Sequence, residues 1–402
     1  MQKNDTFDVI VVGGGPSGAT AATELAREGL SVMLLDKAGR IKPCGGAVPP
    51  RMIRDFDIPD SQIVAKINSA RIISPSGREV DMPVGKGYVG MVDREHFDEW
   101  LRNRAAGAGA ERRTGHFKSI RHDDDGLVTI TYCDKSTGKL GDDVIVRARA
   151  VVGADGARSA VAKQTMPNAE RVPCVFAYHE IIESPESNDD SHFIADTCDV
   201  VYNGKVSPDF YGWVFPHGKT TSVGTGSANK GFSLRGAVKL LREQSGVVDA
   251  KTIRREGAPI PLKPLKKWDD GKNVILAGDA AGVVAPASGE GIYYAMLCGQ
   301  LSGQAAAQFI KTGEVKALKT ARKRFMREHG KVFWILGMMQ KFWYTTDERR
   351  ERFTSICADP DVQRLTWESY TEKKLTRQSP MAHIKIFFKD LAHLFGLVSA
   401  KS

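Results

Sequence analysis

Asp8-Val9-Ile10-Val11-Val12-Gly13-Gly14-Gly15-Pro16-Ser17-Gly18-Ala19-Thr20 passes from a β-branched apolar segment through glycines into a run of small residues. Residues 7–12 have the unbroken apolar character of a strand buried on both faces of a parallel sheet. Residues 16–28 predict an alanine-rich helix entered through Pro16. The next apolar run, 31–35, ends in Asp36, 23 positions after Gly13. Gly13 permits the tight turn, Gly15 lets the backbone approach a pyrophosphate, and Gly18 lets the helix lie close on the strand. The pyrophosphate would rest on the helix N-terminus near Ser17, where free N–H groups and the dipole favour an anion. Asp36, followed by Lys37, falls where a carboxylate accepts the hydroxyls of an adenosine ribose. Strand, turn, helix and acid together predict a dinucleotide-binding βαβ unit.

At 402 residues the chain suits two or three domains. Hydrophobic residues at 42% and charged residues at 26% match an ordinary soluble globular composition. The six cysteines are scattered, with no CxxC and no metal-ligand spacing, which excludes a disulfide framework and predicts a reduced, intracellular setting without a bound metal. The first strand begins so early that it leaves no room for a signal or transit peptide. No apolar run reaches the roughly 20 residues needed to span a bilayer. The longest candidate, 332–340, is bounded by Lys331 and Lys341. The net charge of +9 gathers from Lys311 onward, where 19 Lys and Arg stand against 10 Asp and Glu. Such a surplus attracts anionic lipid or an acidic partner, or simply solvates a helical surface; no nucleic-acid partner is expected.

Further along, Pro43-Cys44-Gly45-Gly46-Ala47-Val48-Pro49-Pro50 is a shaped loop whose glycines allow close approach to a flat ligand. Residues 71–82 predict a hairpin turning at Ser76-Gly77, and 89–92 a strand. Arg94 opens a helix to about residue 108. Strands follow near 110–120, 127–132 and 144–152, the last ending in Gly153-Ala154-Asp155-Gly156. Residues 172–260 read as mostly β with a helix near 234–244, and Pro259, Pro261 and Pro264 punctuate the exit. A second buried strand, Asn273-Val274-Ile275-Leu276, breaks at Gly278-Asp279, and Pro286-Ala287-Ser288-Gly289-Glu290-Gly291 leads into a helix over 292–310. The tail after 311 is helical and basic.

Three glycine–acid turns in this order, Gly13/Gly15/Gly18, Asp155-Gly156 and Gly278-Asp279, resemble the flavoprotein family built like the aromatic hydroxylases. The resemblance covers roughly residues 5–310 and implies one FAD served by all three turns. In that family the aspartate matching Asp279 binds the ribitol chain. The resemblance also implies that the helix after Gly289 and Gly291 points its N-terminus at the isoalloxazine, where a positive dipole end suits the reduced flavin. Arg94 matches an arginine near the FAD phosphates. The expected fold is therefore α/β: a Rossmann-like FAD-binding domain interleaved with a β-rich substrate domain, plus a helical C-terminal tail. The expected boundaries are 1–65, 87–165 and 266–310 for the first, 66–86 and 166–265 for the second, and 311–402 for the tail.

The Pro43–Pro49 loop, Tyr211-Gly212-Trp213-Val214-Phe215-Pro216-His217-Gly218 and Ala287-Ser288-Gly289-Glu290-Gly291-Ile292-Tyr293-Tyr294 look like the geranylgeranyl reductases, most of all the chlorophyll and bacteriochlorophyll branch. That resemblance implies NADPH as reductant and a C20 prenyl chain as substrate, on a tetrapyrrole ester or a free diphosphate. It places the protein in the cytoplasm or peripherally on the photosynthetic membrane. Gly224-Thr225-Gly226 lacks a third glycine, so NADPH has no Rossmann domain of its own. The double bonds are isolated, with no carbonyl to stabilise a carbanion, so a proton must arrive with or before the hydride. The site needs a water-poor channel and a proton donor within about 3 Å of the alkene.

Cys44, beside the flavin in that family together with Gly45 and Gly46, is the first donor candidate; packing beneath the ring is its alternative role. Tyr211, Trp213 and Phe215 alternate along a strand and face one side, either as a wall of the prenyl channel or as core. Tyr211 and His217 are further catalytic candidates, and Tyr293 or Tyr294 could each supply a hydroxyl. Ile384, Phe387, Phe388, Leu391, Leu394, Phe395 and Val398 recur with helical period beside Lys385 and Lys389, a pattern suited to a membrane surface or to protein docking. An aromatic monooxygenase, a prenyl-lipid reductase and a non-catalytic prenyl escort share parts of this pattern.

Overall fold

The computed structural model describes residues 6–37, 41–85, 87–186 and 192–373. The strand Thr6–Val12 lies at the centre of a parallel sheet, between Val32–Asp36 and Asp143–Gly153. Val274–Leu276 continues the sheet on one side and Glu111–His122 on the other. Val9, Ile10 and Val11 have no exposed surface; each such burial stabilises by about 1.5–3 kcal/mol. The two long strands overrun this parallel core and are bridged there by antiparallel Val128–Asp134.

Helix Pro16–Arg27 returns across the sheet and is crossed by helix Ile292–Thr312. The crossing is tight because both surfaces are small: a Cβ on Gly299 would sit 2.1 Å from the Ser17 carbonyl oxygen. The second sheet has seven strands, with Thr252–Pro261, Cys174–Glu183, Thr220–Ser227 and Gly212–His217 adjacent in that order. Thr197–Val201 and the hairpin Ser69–Ile73/Glu79–Pro83 complete it. The architecture is the α/β fold that the sequence implies, with a helical C-terminal region: Lys319–Trp343, Asp347–Ile356 and Pro360–Glu372.

The prolines punctuate the exit as expected: the strand Thr252–Pro261 contains Pro259 and ends at Pro261, with Pro264 beyond it. That strand is at the sheet edge, paired only with Cys174–Glu183, where a missing N–H costs no ladder bond. The amphipathic segment 384–398 lies outside the described residues. No helix among the described residues is long and apolar enough to cross a membrane.

Candidate active site

Val12, Gly153 and Leu276 are register neighbours across the parallel sheet. The turns that follow them therefore emerge side by side at its carboxyl edge, where open α/β sheets hold their ligands. Gly13 has φ +107°, and a Cβ there would sit 2.3 Å from the Ala154 carbonyl oxygen, so the first two turns touch. A Cβ on Gly18 would sit 1.8 Å from the Gly13 carbonyl oxygen. Gly15 differs: nothing lies within 4 Å of the place its Cβ would take. It is the N-cap of helix Pro16–Arg27, which no side chain caps, so the helix presents free N–H groups to open space.

The acids are placed around this opening. Asp36 accepts from the Gly14 N–H at 2.7 Å and lines a separate recess with Arg102, Arg112 and Arg113. Exposed Lys37 follows it. Asp155 accepts from the N–H groups of Ala160 (2.6 Å) and Val161 (3.2 Å). Its carboxylate thus caps the short helix Ala160–Thr165 and braces the turn at Gly156, and burial raises its pKa. Asp279 accepts from Lys42 Nζ, and a Cβ on Gly278 would meet Ser17 Oγ at 2.6 Å, so Ser17 lies under the third turn.

Beyond Asp279 a cleft of about 790 Å³, part of it open to solvent, opens between the sheets. Lys42, Cys44, Gly45 and Arg94 line one side, Tyr211, Trp213 and Phe215 another, and Gly289 and Gly291 a third. Gly289 has φ +64°, and a Cβ there would press on Phe210 at 3.1 Å. Phe210 stacks on Tyr211 with centroids 4.3 Å apart and also lines the cleft. The Tyr211 hydroxyl donates to the Ser288 carbonyl at 2.5 Å, and burial raises its pKa.

Arg94 is buried and grips Asp98 through two bonds of 2.7 Å. Burial works against its charge, but Asp98 and then Cys44 outweigh it and hold the guanidinium pKa above its ordinary value. Arg94 therefore faces the Cys44 sulfur as a permanent cation. The Gly46 N–H also points at that sulfur, at 3.4 Å.

His217 packs behind the Cys44 loop and does not line the cleft. A Cβ on Gly46 would sit 2.3 Å from its Nε2, and its Nδ1–H donates to the Phe215 carbonyl at 2.9 Å. Burial pushes its pKa down to about 4, so the ring is neutral at pH 7. Tyr293 and Tyr294 depart from expectation and point away. Ile292 and Ala295 face the cleft, and a helix turns positions 293 and 294 by about 100° and 200° from Ile292. Tyr294 packs instead on Phe325 and Phe333.

Sequence reasoning missed His179. It lies buried in the cleft wall beside Ala177, two residues before it on the strand Cys174–Glu183. Only the strand's alternation could have pointed to it.

These residues fit FAD. The open Gly15 and bare helix end suit a diphosphate, Asp36 suits a ribose, and the apolar cleft past Asp279 suits a ring system. The family described as FAD binding domain matches residues 6–327. The chain is 57% identical over 392 residues to geranylgeranyl diphosphate reductase of Rhodobacter capsulatus, covering 98% of each. The chain belongs to the geranylgeranyl reductase family. It is thus an FAD-binding oxidoreductase chain. To the chloroplastic geranylgeranyl diphosphate reductase of Oryza sativa subsp. japonica it is 36% identical, covering 96% of this chain and 86% of that one. A solved structure from Thermoplasma acidophilum, described as geranylgeranyl bacteriochlorophyll reductase-like, shares the fold of this family member. Its TM-score is 0.81 at 22% identity, covering 98% of this chain and all of that one.

Proposed function

We propose that this protein reduces isolated double bonds of a geranylgeranyl chain towards phytyl, on a chlorophyll or bacteriochlorophyll ester or on geranylgeranyl diphosphate, using NADPH. Gly13, Gly15, Ser17, Gly18, Asp36 and Asp279 would hold the FAD, which would supply the hydride when bound. The observation that carries the reading is the arrangement of one cleft: Cys44 beside Arg94 on one side and the aromatic run Tyr211, Trp213 and Phe215 on another.

Each part answers a demand of the chemistry. An alkene without an activating carbonyl must take a proton as the hydride arrives. Cys44 is the donor in this reading, because the thiolate it leaves behind sits against the Arg94 cation. Positive charge growing on the tertiary alkene carbon is attracted by the aromatic faces opposite. The same rings exclude water that would quench it. Tyr211 serves as wall, its proton committed to Ser288. His217, neutral and behind the loop, holds Gly45 and Gly46 in place. Residues 1–65, 87–165 and 266–310 form the cofactor half in this reading, 66–86 and 166–265 the substrate half, and 311–402 a helical tail. Peripheral attachment at the photosynthetic membrane would bring the C20 chain within reach.

The test is anaerobic. Protein whose flavin has been reduced by NADPH is mixed with geranylgeranyl diphosphate or the geranylgeranylated pigment. Reappearance of oxidised flavin absorbance without oxygen supports the reading. Reoxidation only on admitting oxygen, with a phenol present, contradicts it and indicates a monooxygenase.

A further inference from the structure

Trp213 is fixed more firmly than packing requires. Its strand pairs with Thr220–Ser227, and Trp213 is the register partner of Gly224. A Cβ on Gly224 would sit 2.3 Å from the indole Cζ2 and 2.5 Å from the His179 Cβ, so the indole lies in a slot that only glycine leaves open. The indole Nε1–H then donates to Ser222 Oγ at 3.0 Å. Ser222 Oγ stands 2.8 Å from His179 Nδ1, and His179 Nε2 stands 3.0 Å from Glu256 Oε2. A carboxylate only accepts, so Nε2 carries a proton; in the neutral ring Nδ1 accepts from the Ser222 hydroxyl. Every donor in the chain has its acceptor.

The chain continues beyond the substrate wall. Glu256 lies 3.3 Å from Arg254, and Arg254 lies 3.8 Å from Asp93. Asp93 is the N-cap of the helix that begins with Arg94, accepting from the Glu95 N–H. Arg94 faces Cys44. One polar path thus joins the aromatic wall to the element that carries the proton-donor side of the same cleft. The path crosses strands of three different sequence regions, and nothing in the reaction itself uses its hydroxyl, imidazole or carboxylate.

We propose that Ser222, His179 and Glu256 are positioning residues. They fix the rotation of the Trp213 indole in the prenyl channel and, through Arg254, hold that wall in register with the Arg94 helix. This rests on the reading of Tyr211, Trp213 and Phe215 as the prenyl wall. The consequence is selective: freeing the indole weakens recognition of the prenyl chain without removing the acid or the cofactor.

The experiment compares Ser222→Ala, which deletes one oxygen at a fully buried position, with His179→Ala, Glu256→Gln and Trp213→Leu. For the FAD-loaded full chain, KM for geranylgeranyl diphosphate is expected to rise about three- to tenfold in Ser222→Ala and His179→Ala, the cost of one lost neutral hydrogen bond. Their kcat is expected to stay within about twofold, as it would not if these groups took part in proton transfer. Glu256→Gln keeps one acceptor for Nε2–H but gives up the ion pair with Arg254, so its KM is expected to rise, by no more than that of His179→Ala. A second readout needs no turnover: the indole 15N–1H resonance of Trp213, assigned by its loss in Trp213→Phe, shifts in Ser222→Ala. An unmoved resonance, or a fall in kcat with KM unchanged, overturns the proposal. If Trp213→Leu itself leaves KM unchanged, the wall reading fails instead.

Discussion

Replacing Lys373 with methionine strands a buried carboxylate. Lys373 ends the helix Pro360–Glu372, and its Nζ donates to Glu290 Oε2 at 2.9 Å. The two side chains are only 4% and 5% exposed. Glu290 spends its other oxygen on the Tyr293 N–H at 3.0 Å, in the first turn of the helix that opens at the cleft. Burial pulls the Lys373 pKa down against the attraction of Glu290. Its ammonium also lies 4.1 Å from the Tyr370 ring centre. Breaking a pair of this kind from one side costs about 3–5 kcal/mol, because the buried carboxylate left behind has lost its counter-charge. Removing both charges costs far less. Lys373→Met is therefore expected to lower unfolding free energy by about 3–5 kcal/mol, and Glu290→Gln/Lys373→Met by no more than about 1–2 kcal/mol. Urea unfolding followed by tryptophan fluorescence measures both. A single variant that loses less than about 1 kcal/mol, or a double variant as weak as the single, would refute the reasoning.

Three further outcomes are expected. Cys44→Ala keeps its FAD and its reduction by NADPH but loses about 10²–10⁴-fold in kcat, the usual worth of a positioned acid; stopped-flow of the two half-reactions separates these steps. Gly18→Ala places a Cβ 1.8 Å from the Gly13 carbonyl oxygen and is expected to purify without flavin colour, read directly from the visible spectrum. His217 has a folded pKa depressed from 6.5 to about 4, so between those values the unfolded chain binds the extra proton. Stability from this group is full above pH 6.5 and falls, by on the order of 3 kcal/mol, as pH drops towards 4; the difference between parent and His217→Gln across that window measures it.

Local pattern carried the cofactor half of the account. Gly13, Gly15, Gly18 and Asp36 belong to one short strand–turn–helix unit, so their spacing alone conveys their geometry. Asp155 and Asp279 were legible as turns because each follows a buried strand. What the sequence did not display is built across strands far apart in the chain. His179 pairs in register with Gly224 on one side and Glu256 on the other, and no local period brings Ser222, His179 and Glu256 together. Lys373 meets Glu290 across 83 positions for the same reason. Tyr293 and Tyr294 misled because neighbours on a helix point about 100° apart; proximity to the Gly291 turn did not decide which face they share.

The most direct test of the central claim follows the atoms. The FAD-loaded protein is given NADPH deuterated on the transferred hydrogen and a geranylgeranyl substrate, without oxygen, and then unlabelled NADPH in heavy water. Mass spectrometry of the isolated prenyl chain is expected to show two added hydrogens per double bond reduced, with deuterium from labelled NADPH to the extent that the reduced flavin N–H does not exchange with water, and at least one deuterium from heavy water through proton delivery. In Cys44→Ala both should disappear together while the flavin is still reduced. An unreduced chain beside steady oxygen-dependent NADPH consumption would contradict the account, as would full reduction with Cys44 replaced.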